Sequence, residues 1–231
     1  MTEFTDSELG EITVQRLSRA TKVSIRVSPN GKLRAVAPPY VPVFMIKRLI
    51  ISSRGELQKM IARSHPETIY NDGDLIGKSH WLKIQRTEGH QVSHRLSGQH
   101  LLITIPAHMP IESPAAKRAI KDGVIVALRK QAKSYLPKRI SYMAETYGYN
   151  YEKVRFSHAS SRWGSCSTHG TISLNIALMK LPFELIDYVL IHELCHTKQM
   201  NHSAIFWQLV ESADADYREH RRLLKKQTPT I

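Results

Sequence analysis

The stretch "IHELCHTKQMNH", from Ile191 to His202, places three histidines and one glutamate within twelve residues. His192 and His196 are four residues apart, so on a helix both imidazoles lie on one face and can reach one metal ion. Glu193 projects about 100° around the helix from His192, where a carboxylate can hold a water molecule bound to that metal. The H-E-x-x-H pattern therefore indicates two metal ligands and a general base.

A histidine cluster with only a packing role is the alternative interpretation. The chain contains 12 histidines, so the five-residue pattern has a chance expectation on the order of a few per cent. The preceding residues, "FELIDYVLI", are apolar enough to bury this helix, and burying two histidines without a partner is costly. These features favour the metal site.

A third ligand must come from outside the helix face, because a catalytic zinc takes three protein ligands and keeps one position open. We expect the helix to end near Met200, with Asn201 in the left-handed conformation that turns the chain back. His202 would then point at the first two histidines. Glu211, on the next predicted helix, is the competing third ligand.

For other residues near this motif, a functional role and a packing role are both considered. Arg162, in "SSRWGSCS", could stabilise an oxyanion or a phosphate, whereas Trp163 is expected to pack the domain. Cys166 and Cys195 could be soft metal ligands, but packing is favoured for Cys195, which lies about 100° from His196 on the helix. Six further histidines are expected at the surface: His65, His80, His90, His94, His100 and His108.

The first half of the sequence is typical of strands. "KVSIRVSPNGKLRAVAPP" alternates apolar and polar residues on both sides of Pro29, Asn30 and Gly31, which predicts a β-hairpin. Apolar residues at helical spacing predict one helix over residues 41–64. Further strands are expected over residues 79–86 and 100–106.

The second half is typical of helices. Ser113 and Pro114 predict a helix start, and Pro137 is expected to break or restart that helix after about Tyr135. Gly148 is expected to stop the continuation. "KVRFSHAS" and "TISLNIAL" predict strands, Leu181-Pro182 opens the helix with the histidines, and a last helix is expected over residues 203–226. We find no internal repeat in the sequence. The change near residue 110 predicts an α+β fold, with a β-rich domain containing one helix over residues 1–110 and a second domain over 111–231.

Composition limits the classes of protein. Hydrophobic residues make up 42% of the chain and charged residues 23%, as in a globular protein, and no apolar run approaches the roughly 20 residues of a membrane helix. The formal net charge is +13, which favours contact with nucleic acid, anionic metabolites or acidic partners. An acidic N-terminus unlike a signal peptide and two cysteines outside any disulfide pattern predict a cytoplasmic protein with free thiols.

The combination of "RWGSCS", "IDYVLIHELCH" and "NHSAIFW" resembles the YgjP-like metallopeptidase family, which is similar to the WLM and SprT-like zincins. The resemblance implies a zincin-like helical catalytic domain with a small sheet above the metal. It also implies that His192, His196 and His202 are zinc ligands and that Glu193 is the catalytic base. Metzincins place a glycine where this chain has Gln199, and Asn201 is the suggested substitute.

Three functions are consistent with these patterns. The favoured one is a zinc-dependent hydrolase acting on peptide or protein substrates, with weak nucleic-acid binding through the basic surface. A metal-dependent phosphohydrolase acting on nucleoside triphosphates is the alternative, although the sequence has no P-loop and no carboxylate cluster for magnesium. The third is a nucleic-acid-binding module with structural zinc, which would require four protein ligands.

Overall fold

The computed structural model describes residues 2–6, 8–27, 33–63 and 68–231. It divides into two compact units, Met1–Thr68 and Ile69–Ile231. The division falls after Thr68 and not at residue 110. The reason is that apolar residues of the strands over 75–106 share one hydrophobic core with the long helix that follows them.

Within its described residues, the first unit contains four strands and two helices. They are β1 (Thr2–Asp6), β2 (Gly10–Arg16), β3 (Ser24–Val27), β4 (Leu33–Ala37), α1 (Val43–Ser52) and α2 (Arg54–Arg63). The strand order is β1-β2-β4-β3, with β2 and β4 parallel and the outer pairs antiparallel. Alternating apolar residues of β2 and β4 pack with α1 to form the core of this unit.

Two predictions fall within this unit. β3 and β4 form the expected antiparallel pair, while the turn predicted at Pro29, Asn30 and Gly31 lies outside the described residues. The single helix predicted over residues 41–64 is wrong. Two helices form instead because Ser53, with φ −103° and ψ 13°, leaves the helical conformation between them.

The second unit contains seven strands, a short 3₁₀ helix and four α-helices. They are β5 (Leu75–Ile76), β6 (His80–Thr87), β7 (Ser93–Ser97), β8 (His100–Pro106), α3 (Pro114–Tyr147), β9 (Lys153–Ser157), β10 (Gly164–Cys166), β11 (Thr171–Asn175), the 3₁₀ helix Ile176–Lys180, α4 (Phe183–Cys195), α5 (Ala204–Ala213) and α6 (Tyr217–Leu224). One sheet has the order β5-β6-β8-β7 and the other the order β10-β11-β9. The mixed α+β architecture predicted from the sequence is confirmed.

The two four-stranded sheets have the same topology. In each, the first and second strands are antiparallel, the second and fourth are parallel, and the third and fourth are antiparallel. An arginine in the second strand of each sheet donates to a carbonyl group at or just after the end of the fourth strand: Arg16 to Pro38 and Arg86 to Pro106. The chain therefore contains a structural repeat that inspection of the sequence did not reveal.

Helix α3 is much longer than predicted. Ser113 Oγ accepts a hydrogen bond from the Ala116 amide, 3.3 Å, as the predicted N-cap does, and Gly148 ends the helix with φ 67°. The predicted end near Tyr135 is wrong, since Pro137 lies inside a continuous helix. Buried residues on both sides of it, such as Leu136 and Ile140, offset the roughly 3 kcal/mol that an internal proline costs.

The predicted last helix is also two helices. Asp214 leaves the helical conformation, with φ −143°, and its side chain accepts a hydrogen bond from the Asp216 amide, 3.1 Å. The chain therefore turns between α5 and α6. Within the described residues, no helix combines the length and apolarity that crossing a membrane requires.

Candidate metal centre

Helix α4 brings the first two histidines to the centre of the second unit. Its apolar side chains, among them Leu190 and Leu194, are buried all around it, so the helix is held on several sides. His192 and Glu193 lie in its last turn, and His196 follows the last helical residue. The site therefore lies where a rigid helix ends.

The structure brings His192, His196 and His202 together. One ring nitrogen from each lies within 4.8 Å of the others, and the Nε2 atoms of His192 and His202 are 3.1 Å apart. Nitrogen ligands about 2.0–2.1 Å from a tetrahedral zinc are roughly 3.3 Å apart. The three imidazoles therefore have a spacing close to that of a metal site.

A glutamine side chain holds the turn that returns His202 to the helix. Gln199 Nε2 donates to Asn201 Oδ1, 2.7 Å, and to Ser203 Oγ, 3.1 Å, and Ser203 caps α5. The predicted left-handed conformation of Asn201 is wrong, because none of the described non-glycine residues has a positive φ. Helix α4 ends at Cys195, earlier than Met200, and side-chain hydrogen bonds shape the turn that metzincins form with glycine.

A buried phenylalanine forms the floor beneath the three imidazoles. The ring centroid of Phe206 is 4.5 Å from that of His196, 4.8 Å from that of His202 and 4.9 Å from that of His192. Trp207 stacks on the outer side of His202, with centroids 5.7 Å apart. The rings of both residues therefore help to position the histidines.

The environment keeps two of these imidazoles in the neutral form that metal binding requires. Burial and the neighbouring imidazoles lower the pKa of His192 to about 3, and burial also lowers the pKa of His196. His196 Nδ1 lies 3.1 Å from the Gln199 carbonyl oxygen, so Nδ1 donates and Nε2 keeps its lone pair. Such a hydrogen bond to the second nitrogen is typical of histidines that bind metals.

Glu193 lies beside the three histidines without a partner. Its side chain is buried, and Oε2 has no hydrogen-bond partner among the described residues. Burial raises the pKa of Glu193 to about 8, although the Arg162 guanidinium lowers it. A cation held by the imidazoles would favour the ionised carboxylate.

The backbone of β10 lies directly against this carboxylate. A Cβ atom at Gly164 would lie 2.5 Å from Glu193 Oε1, a distance that side chains do not tolerate. Only glycine therefore leaves the room that Glu193 occupies. No pattern in the sequence indicates this contact.

A profile of the YgjP-like metallopeptidase domain matches residues 21–227. The chain belongs to the YgjP-like metallopeptidase family. It is also similar to the metallopeptidase zymogen abylysin of Pyrococcus abyssi, with 30% identity over 39% of this chain and 92% of that chain, at a TM-score of 0.35. A second zymogen, jannalysin of Methanocaldococcus jannaschii, has 19% identity over 39% of this chain and 94% of that chain, at a TM-score of 0.35. Comparison with curated proteins gives no match.

In this YgjP-like chain, Arg162 of the "RWGSC" segment lies in a loop between β9 and β10, just before the β10 backbone that lies against Glu193. The loop is held by Asn175, which is buried. Its side-chain Nδ2 donates to the Arg162 carbonyl oxygen, 2.9 Å, and its backbone amide donates to the Trp163 carbonyl oxygen, 2.8 Å. The side chain of Arg162 remains exposed. Asn175 is a positioning residue that no sequence pattern indicated.

Several predicted residues lie outside the histidine group. Glu211 is half exposed and pairs with Arg218, with 3.4 Å between Nη2 and Oε1, so it is not among the three converging ligands. Cys195 is buried and packs in the core as expected, 3.2 Å from the Tyr149 hydroxyl. The predicted surface position of His80 is wrong, because its ring is buried against α3.

A cleft of about 270 Å³ opens onto the histidines. Gly164, Ser165 and Cys166 of β10 line one side of it, and Met200 lines it together with the histidines and Glu193. Both cysteines are free thiols, and Cys166 Sγ is outside the group of converging ligand atoms. A small molecule or an extended peptide segment can therefore reach the imidazoles and the carboxylate together.

Proposed function

We propose that this protein hydrolyses peptide bonds with a zinc ion held by His192, His196 and His202, and with Glu193 as the general base. One observation carries the proposal: three imidazole nitrogens converge beside a buried carboxylate oxygen that has no partner among the described residues. Membership of a metallopeptidase family supports peptide or protein as the substrate.

The donor set supports zinc. Imidazole nitrogens in a tetrahedral arrangement are typical zinc ligands, whereas magnesium and calcium prefer oxygen ligands. Three protein ligands leave one position open, as in catalytic zinc sites. When bound, the metal would lower the pKa of a water molecule toward about 7 and polarise the scissile carbonyl group.

Glu193 supplies the proton transfers. Its carboxylate accepts a proton from the attacking water and can then donate it to the leaving amine. The buried position keeps bulk water away from this carboxylate, and the β10 backbone at Gly164 fixes its orientation. Arg162, in the exposed loop that leads into β10, is the residue that we expect to stabilise negative charge on the reacting carbonyl oxygen.

Two other functions receive less support. A magnesium-dependent phosphohydrolase would need a carboxylate cluster, and the only candidate metal-binding group among the described residues consists of histidines. A nucleic-acid-binding module with structural zinc would need a fourth protein ligand, and that same group offers three.

The proposal can be tested with the purified wild-type chain. We expect about one zinc ion per chain, hydrolysis of an unfolded protein substrate, loss of that activity with a chelator, and recovery with added zinc. A parallel assay with nucleoside triphosphates separates the two enzymatic hypotheses. Hydrolysis of triphosphates without hydrolysis of any peptide substrate would reject the proposal.

The net charge of +13 supports a weaker proposal about partners and location. Cations spread over the surface should give weak binding to DNA or RNA that is independent of sequence and falls as salt rises, since phosphate contacts release counterions. Titration with labelled duplex at low and moderate salt tests this, and no binding at low salt would remove nucleic acid as a partner. The free thiols support a cytoplasmic location.

A further inference from the structure

Two arginines lie near the three imidazoles, and neither binds a carboxylate of the described residues. Arg162 lies two residues before Gly164, the first residue of β10, whose backbone lies against Glu193. Arg221 belongs to α6, and its guanidinium carbon lies 4.5 Å from the ring centroid of Trp207. Trp207 in turn stacks on His202, so Arg221 lies one aromatic ring away from a predicted ligand.

Electrostatic effects agree with these positions. Burial raises the pKa of Glu193, and the Arg162 guanidinium opposes that rise. Burial, the other imidazoles and the Arg221 guanidinium all lower the pKa of His192. Each arginine therefore acts on a different group of the same site.

The neighbours of Arg221 on α6 differ from it. Arg218 pairs with Glu211, and Arg222 forms hydrogen bonds to both carboxylate oxygens of Glu219. Carboxylates of α5 and α6 therefore bind the arginines before and after Arg221. Arg221 lies on the tryptophan instead, where its planar group can still donate hydrogen bonds to a ligand.

We propose that the cleft selects substrates with a negative charge beside the scissile bond, and that Arg162 and Arg221 recognise this charge. The inference rests on the proposed function, in which the substrate is a peptide. The charge would then belong to an aspartate or glutamate side chain or to a terminal carboxylate. A divalent cation with two unpaired guanidinium groups leaves positive charge in excess of the single Glu193 carboxylate, so an anionic group is attracted and a cationic one repelled.

Three peptides that differ only in one residue next to the cleaved bond provide the test, with Asp, Asn or Lys at that position. For the wild type, we expect kcat/KM to be about 10-fold higher for the Asp peptide than for the Asn peptide, and lowest for the Lys peptide. Added salt should reduce the ratio.

Variants assign this preference to the arginines. Arg221→Gln should move the Asp to Asn ratio toward one, whereas Arg221→Lys, which keeps the charge, should retain most of it. Arg162→Gln should lower both the ratio and the rate, because this residue also faces the reacting group. Arg218→Gln is the matched control on the same helix and should leave the ratio unchanged. Zinc content is measured for each variant. If a variant loses zinc, its Asp to Asn ratio is not used, and the salt dependence of the wild-type ratio tests the role of charge instead.

The inference and the proposed function fail in different ways. Equal hydrolysis of the Asp and Asn peptides by the wild type, or a ratio that Arg221→Gln and Arg162→Gln both leave unchanged, would overturn the inference while peptide hydrolysis stands. If only a nucleoside triphosphate is hydrolysed, the peptide proposal fails. In that case a loss of triphosphate hydrolysis in Arg221→Gln but not in Arg218→Gln supports recognition of negative charge, and unchanged rates overturn it.

Discussion

Two buried polar clusters in the second unit use their polar atoms in opposite ways. In the first, Gln131 of α3 donates to the Ile76 carbonyl oxygen, 2.8 Å, and to His80 Nδ1, 3.0 Å, and accepts from the Lys78 amide, 2.6 Å. In the second, His192 Nδ1 and Glu193 Oε2 have no partner among the described residues. The first cluster joins parts of the chain through Gln131, although His80 Nε2 also has no partner among the described residues. The second lines the cleft that opens onto the histidines, and the first does not.

In each cluster, the backbone of a glycine lies directly against a side chain of the cluster. A Cβ atom at Gly77 would lie 2.5 Å from Gln131 Oε1, and one at Gly164 would lie 2.5 Å from Glu193 Oε1. Both clusters therefore need a glycine at the point of contact. They differ in the side chain that the glycine meets, because Gln131 accepts a hydrogen bond from the Lys78 amide whereas Glu193 Oε2 has no partner among the described residues. A buried polar group with unused hydrogen-bonding capacity indicates a functional site where its residue also lines a cleft, as Glu193 does, whereas His80 lies outside that cleft.

The largest effect is expected for Glu193→Gln. The amide keeps the size of the side chain but cannot accept a proton, so hydrolysis should fall about 10²–10⁴-fold while zinc content and fold remain unchanged. Activity and metal content measured on the same preparation check this. Loss of zinc would make Glu193 a ligand, and full activity on every substrate would reject the general-base mechanism.

His202→Ala and Glu211→Ala distinguish the third ligand. Mutating a residue that only hydrogen-bonds to a metal ligand typically weakens metal binding about 10–100-fold. Removing His202, as a ligand itself, should weaken zinc binding by more than this. Glu211→Ala should retain zinc, since this glutamate pairs with Arg218 and lies outside the histidine group. Metal titration of both variants is the measurement. The opposite pattern would assign the third ligand to Glu211.

Gly164→Ala and Gly77→Ala compare the two glycine contacts directly. The new methyl group at position 164 should displace the Glu193 carboxylate and lower kcat by about 10–100-fold with zinc retained, because small misplacements of a catalytic group are costly. At position 77, where φ is +67°, the same change should lower stability and leave kcat unchanged. Kinetics with metal content and denaturant unfolding separate these outcomes. Equal kcat in wild type and Gly164→Ala would show that Gly164 does not position the base.

The smallest effect on activity is expected for Gln131→Leu. This change leaves the Lys78 amide and the Ile76 carbonyl group without their partner, so the free energy of unfolding should fall by about 1–3 kcal/mol. Activity per bound zinc should stay the same, because the cluster lies apart from the cleft. Denaturant unfolding and a zinc-normalised assay provide the check. A loss of activity matching that of Glu193→Gln would remove the distinction between the clusters.

Much of the candidate site could be predicted because its key relation is local. The spacing of His192 and His196 places two imidazoles on one side of α4, and His202 is close enough in sequence for a short turn to return it. The turn itself was predicted less well, since Gln199 and Ser203 hold it and Asn201 does not adopt the left-handed conformation. Side-chain hydrogen bonds of this kind leave no periodic signal in a sequence.

Predictions that depended on distant contacts were less successful. The continuation of α3 through Pro137, the burial of His80 and the division after Thr68 all depend on which elements pack together. The repeated sheet topology was missed for a related reason. The two sheets share strand order and direction, but few residues are identical in corresponding strands, so the sequence shows no repeat.

The sequence by itself determined which residue types could bind a metal and which helix carries them, because helical periodicity acts over a few residues. Only the tertiary structure decided that Phe206 supports the imidazoles, that Asn175 holds the Arg162 loop, and that Gly164 makes room for Glu193. These contacts join residues on different elements of the fold. Their formation depends on the packing of β10, β11, α4 and α5 into one core, which the spacing of residues in the sequence does not encode.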